Sequence, residues 1–488
     1  MLKFSLRPFT ISLALAAATP VCGAAPSGPT TASLPEVVER TVLQNPEIKA
    51  RYQDFVSSLE AQNVARGGYF PRVNAQGWTG REYRNSASGS GTDRWSRNGY
   101  NLELRQLIFD GFRTSGSVEQ TGFEKLAKYY ELQALTDATA AEAAQAYLDV
   151  QRYRELNTLA KENFALHEQT LAQIRERTAS GVGRRVDLEQ AVGRLALAQS
   201  NWLTEKGNLL DVEQRYMRIT GSAPAVKLMA APKSSFQMPA NPEDFSAYMR
   251  GNPGLLSKQA SVQAAGSGID VAKSQFSPTL ELRASTGTDR GQYGTDTRTH
   301  STNVQLVMSY NLFNGGADRA RIRQTTAQRY AQVDLRNHTC RNLYQDLSIA
   351  WNNVARLREQ LPFLRAHRVA TQKVRDGYHQ QFQIGQRSLM DLLDTENELF
   401  QANRAYVNAQ YEQRILEYRW LSLAHRILPA LELAPPEVER PEEGSKLDLG
   451  EELLAACATA APDTSLLTPV GIEYGEGEMP PTLVYEKS

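Results

Sequence analysis

Arg387, Asp391 and Asp394 are the residues of this chain whose types and spacing best suit chemistry of their own. At i and i+3 the two carboxylates project from one helix face, with Arg387 one turn earlier. Acidic pairs of this kind are usually a solvated helix face, but the position of this one sets it apart. It follows directly on the helix break Gly385-Gln386-Arg387-Ser388. A similar break, Gly181-Val182-Gly183-Arg184-Arg185-Val186-Asp187, puts Asp187 204 positions before Asp391. Carboxylates at a turn can attract cations or pair with arginine. They are not by themselves an acid/base pair working on a substrate.

Other chemistry is missing from the sequence. There is no Gly-x-x-x-x-Gly-Lys-Ser/Thr phosphate loop and no Gly-x-Ser-x-Gly elbow. The six histidines (His167, His300, His338, His367, His379, His425) include no His-x-x-x-His pair and have no cysteine at metal spacing. The chain therefore reads as a non-enzyme with no catalytic residues, cofactor or metal. With Lys+Arg 54 against Asp+Glu 54, it lacks the basic surplus that nucleic-acid binding requires.

The elements that position the two breaks are written twice. Asn45-Pro46 recurs as Asn252-Pro253, and Phe70-Pro71 as Ser277-Pro278, both 207 positions later. Phe109-Asp110-Gly111 recurs as Phe313-Asn314-Gly315, Gly181 as Gly385, and Asp187-Leu188 as Asp391-Leu392, all at 204. A duplication explains the series, with a loop three residues shorter in the second copy. The expected units are residues 33–225 and 241–430. Each holds a helical segment (34–66 and 241–275), two strands, a long helix, a Gly-marked break and a second long helix.

Period-two alternation marks the strands. Tyr100, Leu102, Leu104, Gln106 and Ile108 share one face, as do Val304, Leu306, Met308, Tyr310 and Leu312. Leu280, Leu282 and Ala284 alternate with Glu281, Arg283 and Ser285, and Val73 and Ala75 with Asn74 and Gln76, a pattern that Trp78 breaks. One apolar and one polar face suits a sheet with different solvents on its two sides, either a helix-covered soluble sheet or a membrane barrel with lipid outside and water within. Four strands cannot close a barrel, since about eight is the smallest useful number, so a barrel would be shared among chains.

The helices carry heptad seams in matching register. One runs Leu188, Ala191, Leu195, Ala198, Trp202, Glu205, Leu209, Val212, Tyr216 and Ile219. Its counterpart runs Leu392, Thr395, Leu399, Ala402, Tyr406, Ala409, Gln413, Leu416, Trp420 and Leu423. No proline interrupts 114–177, a stretch that could reach about 95 Å. Such helices demand an elongated coiled-coil assembly.

The ends complete the picture. Met1 to Ala25 has the basic start (Lys3, Arg7), the apolar run Phe9–Ala18 and the small residues of a secretory signal. Cys22 follows Thr19-Pro20-Val21, which argues against lipidation. Cys340 and Cys457 are then expected to stay unpaired. From Leu431 to Ser488 thirteen acidic residues face three basic ones, a net −10 that reads as a loosely ordered or equatorial tail.

Signal, duplication, paired strands and heptad hairpins with charged tips resemble the TolC family of outer-membrane efflux and secretion channels, over about residues 33–428. The most specific local match is the run from Phe382 to Asp394. The run from Gly181 to Ala191 looks most like members paired with type I secretion systems that export adhesins, the agglutination-protein-like branch. The resemblance implies a mainly α fold with a small β part: a homotrimeric 12-stranded outer-membrane barrel continued by a periplasmic coiled-coil barrel. It implies a passive exit duct, with an inner-membrane ABC or other transporter, a periplasmic adaptor and outer-membrane lipid as partners. It further implies that Asp391 and Asp394 line the periplasmic constriction, that Arg387 latches the tip near Asp187, and that Gly181 and Gly385 make the tip turns. The family often has Tyr at the position of Phe382. The residue patterns leave a second reading open, a periplasmic or surface coiled-coil scaffold without a pore.

Overall fold

The computed structural model describes residues 30–85, 92–232, 239 and 245–457. The signal-like segment 1–25 and the tail beyond 457 lie outside them. In chain order the elements are β1 (Thr31–Ala32), α1 (Leu34–Gln44), α2 (Pro46–Arg66), β2 (Arg72–Asn85), β3 (Thr92–Phe109), α3 (Arg113–Ala179) and α4 (Arg185–Thr220). These are followed by β4 (Lys227–Leu228), α5 (Phe245–Arg250), α6 (Pro253–Lys273), β5 (Thr279–Arg290), β6 (Arg298–Ser309), α7 (Ala317–Gln383), α8 (Leu389–Leu423), α9 (Ile427–Ala430) and α10 (Glu451–Cys457).

The repeated Asn-Pro dipeptide is a helix start. Asn45 Oδ1 accepts from the Glu47 and Ile48 amides, and Asn252 Oδ1 from that of Leu255. Proline sits at the first helical position, where its missing N–H costs nothing. At the strand-to-helix corner Gly111 takes φ +67°, and buried Asp110 caps α3 by accepting from the Thr114 amide and hydroxyl.

β2, β3, β5 and β6 form one antiparallel sheet in that order, so β2 and β6 are open edges. Pairings such as Leu104 with Ala284 and Ala284 with Val304 put the apolar residues of all four strands on one face. The other face carries ion pairs: Arg97 with Glu82 and Asp289, Arg105 with Glu103, and Arg283 with Glu281. Trp78, off pattern in the sequence, lies on that polar face beneath Arg97. Two sequence expectations are corrected here. A bulge brings Phe109, not Ile108, into register with Leu280. The shortening in the second copy lies in the strands, 12 and 12 residues against 14 and 18, rather than in a loop.

The long helices of the two copies match in length to within one residue. α3 and α7 each run 67 residues, about 100 Å. α4 and α8 run 36 and 35. α3 packs against α4 and α8, and α8 against α7, giving a layer ordered α4–α3–α8–α7. The seam is visible in burial: Ala191, Ala198, Glu205, Val212 and Ile219 of α4 are buried at a strict seven-residue interval. Glu205 is buried there because Arg404 of α8 reaches it at 2.5 Å.

The main core lies at the waist, where α1, α5, α9 and α10 pack around α3, α7 and α8. The tail joins it, which corrects the cysteine expectation: Cys340 of α7 and Cys457 of α10 form a disulfide, with Cα atoms 5.7 Å apart. Both are fully buried, together with Leu449 and Leu454. Upstream, Lys125 bridges Gln62 at 2.7 Å and Glu443 at 3.0 Å, and Gln259 donates to the Asp448 carbonyl. Spacing could not reveal the pair, because 117 residues separate the cysteines and only the folded-back tail joins them.

By chain entropy, cross-linking over so long a loop stabilises by up to about 5 kcal/mol. Cys457→Ser should therefore lower the melting temperature and speed amide exchange across 447–457. Unchanged exchange there would show that side-chain packing alone holds the tail.

Candidate functional site

Each tip turn is built from its glycine. Gly181 (φ +79°) and Gly385 (φ +77°) take the left-handed conformation that ends a helix. The Val182 and Gly183 amides then return to the Arg177 carbonyl, and the Gln386 amide to that of Gln381. Ser388 caps α8 through the Asp391 amide at 3.2 Å; its first-copy counterpart Arg184 makes no such bond. Asp187 and Asp391 both lie in a first helical turn, where the helix dipole favours a carboxylate.

An apolar plug sits just behind the tips. Leu171 and Ile174 of α3, Ala191 of α4, Phe382 of α7, and Leu389, Leu392 and Leu393 of α8 pack together. Both hairpins contribute, so the tips are one unit within the protomer. Three polar contacts cross the join. The Arg177 guanidinium lies 4.9 Å from the Phe382 ring, Gln190 donates to the Met390 sulfur at 2.9 Å, and Arg194 is ion-paired and hydrogen-bonded to Asp394. Phe382 thus holds the join through its ring face, without a hydroxyl.

Arg387 stays on its own hairpin. It lies 3.7 Å from Asp391, donates to Gln381 Oε1 at 3.0 Å and stacks 4.4 Å from the Tyr378 ring. Within the chain it does not reach Asp187, which has no ion pair among the described residues. The structure therefore brings together Arg387 with Asp391 and Arg194 with Asp394, and leaves Asp187 on the far flank. Both paired aspartates keep about half of their side-chain surface exposed, at 41% and 55%.

Sequence reasoning missed Arg177, Gln190, Arg194 and Glu396. The heptad reading weighs apolar positions, and Arg194 and Gln190 fall beside the seam, one turn apart on the same face of α4. Glu396 is buried behind the tip, 3.9 Å from Arg375. Burial pushes its carboxyl up to about 7; Arg375 opposes the shift and Asp376 adds to it. His167 is also buried, and burial beside Arg194 lowers its pKa. No grouping among the described residues could hold a metal ion.

Similarity to known proteins agrees with this geometry. The sequence model of the family described as outer membrane efflux protein matches residues 37–222 and 247–419, most of both repeats. The chain belongs to that family. It is 26% identical over 369 residues to the outer membrane efflux protein BepC of Brucella suis biovar 1 (strain 1330), covering 75% of this chain and 79% of that protein. It is 24% identical over 407 residues to the outer membrane protein TolC of Escherichia coli (strain K12), covering 78% and 80%. Among solved structures, the Campylobacter jejuni CmeC outer membrane channel superposes with a TM-score of 0.74 at 15% identity, over 85% of this chain and 90% of that one. The protein is a non-enzymatic outer-membrane channel with a large periplasmic helical portion, and the scaffold reading is set aside.

The raised Glu396 pKa sets a pH dependence. With the folded-state value above the ordinary 4.5, the stabilisation from the neutral carboxyl is complete below 4.5 and lost as pH rises through about 7. Amide exchange in the first turns of α8 should accelerate between about pH 5 and pH 8, beyond its intrinsic pH dependence. Glu396→Gln should remove that acceleration; an unchanged profile in the variant would assign it to another group.

Proposed function

We propose that three copies of this chain close into a 12-stranded barrel continued by a ring of twelve long helices. The assembly is a passive exit duct for substrate delivered by an inner-membrane transporter and a periplasmic adaptor. The observation that carries the reading is the open four-stranded sheet, apolar on one face and ion-paired on the other, with both edges unpartnered among the described residues. The flanks of the helical layer support it. α4 exposes Leu197, Leu203 and Leu210, and α7 exposes Phe363, Val369 and Val374, as an unfinished coiled-coil seam would.

In such a ring α7 of one protomer meets α4 of the next, which is where Arg387 and Asp187 would come together as a latch between subunits. Asp391 and Asp394 would form threefold rings at the constriction, each carboxylate steadied by its own arginine in the closed state. A surface latch between Arg387 and Asp187 contributes about 1 kcal/mol or less at each subunit contact, so an engaging partner can break it while its threefold repetition keeps the resting duct shut. The tip run from Gly181 to Ala191 resembles that of adhesin-exporting members, which supports type I secretion of a large protein over small-molecule efflux. The names of the relatives BepC and CusC, an outer membrane efflux protein and a cation efflux system protein, favour efflux. Deletion of the gene separates these two uses: loss of one large secreted protein with unchanged drug susceptibility supports secretion, and the reverse supports efflux.

Arg387→Ser should raise the resting conductance of the protein in planar bilayers several-fold, and a closed variant would reject the latch. Asp391→Asn combined with Asp394→Asn should weaken block by divalent cations about tenfold, about 1.4 kcal/mol. Unaltered block would remove both residues from the constriction.

A further inference from the structure

Arginines occupy both faces of the sheet, but the acidic positions of the strands, Glu82, Asp93, Glu103, Glu281 and Asp289, all fall on one of them. On the polar face Arg97, Arg105 and Arg283 each meet a carboxylate within 3.0 Å. On the apolar face each strand brings one arginine to the end remote from the helices: Arg81 on β2, Arg94 on β3, Arg290 on β5 and Arg298 on β6. All four are exposed. Arg290 pairs with Asp296 at 2.9 Å, and Arg94 lies 5.6 Å from the Tyr83 ring. Arg81 and Arg298 have no ion pair among the described residues. Closer to the helices, the same face carries Tyr100, Leu102, Leu104, Val304, Leu306 and Met308.

We propose that this arginine row is a docking surface for the phosphate groups of lipids in the outer leaflet. The proposal rests on the outer-membrane placement, in which the strand ends remote from the periplasmic helices reach the outer surface. The apolar band beneath would lie among acyl chains, so the guanidiniums stand at headgroup depth. Planar guanidinium forks match phosphate oxygens two at a time, which a compact ammonium does not. Excess positive charge on the lipid side, next to a neutralised lumenal side, is suited to a negatively charged membrane surface and not to cargo passing inside. A phosphorylated lipid also satisfies the band and the row together, because its chains and phosphates are held at a fixed separation. A free anion satisfies only the row. Trimer formation would repeat the row three times around the barrel.

The test is native mass spectrometry of the full-length protein released from detergent with either bis-phosphorylated lipid A or the same lipid stripped of phosphate. Wild type should retain the phosphorylated form about tenfold more. Arg81→Gln, Arg94→Gln and Arg298→Gln together should abolish the preference, whereas Arg105→Gln on the lumenal face should keep it. Equal retention of the two lipids by wild type would overturn the proposal, as would a preference that survives in the triple variant. Displacement of the lipid by excess inorganic phosphate at constant ionic strength would also overturn it, by revealing a free-anion site. If the triple variant fails to assemble, the comparison on wild type decides alone. Bilayer conductance of the triple variant should be unchanged, so failure here is distinguishable from failure of the channel reading.

Discussion

A strand at the edge of a sheet leaves backbone N–H and C=O groups without partners, and hydrocarbon offers them none. β2 and β6 are such edges, and the apolar face between them suits lipid. Much else follows from this constraint. The edges must meet further copies, and the helices that leave the sheet must stand side by side as the strands do. The duplicated sequence is the economical way to build that wall, since each repeat supplies one hairpin of strands and one hairpin of helices. Equal lengths of 67 residues in α3 and α7 keep the two tips level, so all hairpins can end at one plane.

At that plane the energetics are deliberately uneven. Within a protomer the tips are joined by an apolar plug that includes Phe382, Leu389, Leu392 and Leu393, and burial of that kind is expensive to undo. The charged contacts around it are half exposed and individually weak. A unit held by such a plug can rotate as a body without unpacking where its links to neighbouring subunits are exposed polar pairs, as in the proposed latch between Arg387 and Asp187. That is the mechanical property the proposed gate would require.

The waist is strengthened in a different way. The segment after α8 folds back so that Lys125, Gln62 and Glu443 form a largely buried network, and the Cys340–Cys457 disulfide pins α10 to α7. His425 and Asp137 tie the end of α8 to α3 nearby. An exported protein can keep such a disulfide, whereas a reducing cytosol would not. The stable waist lets the tips beyond it remain weakly held.

What the sequence determined alone is whatever repeats or alternates. The duplication, the four strands and their apolar face, the heptad seams and both glycine turns were legible, because each rests on local spacing that backbone geometry converts directly into shape. The signals that failed were those joining distant segments. Cys340 meets Cys457 only because the tail docks, and Arg194 meets Asp394 only because two hairpins pack side by side. The bulge at Leu107 and Phe109 escaped detection because one extra residue leaves no trace in an alternating pattern read on a single strand. Which arginine pairs with which carboxylate was likewise a tertiary decision: charges on long side chains are placed by whichever helix face lies opposite.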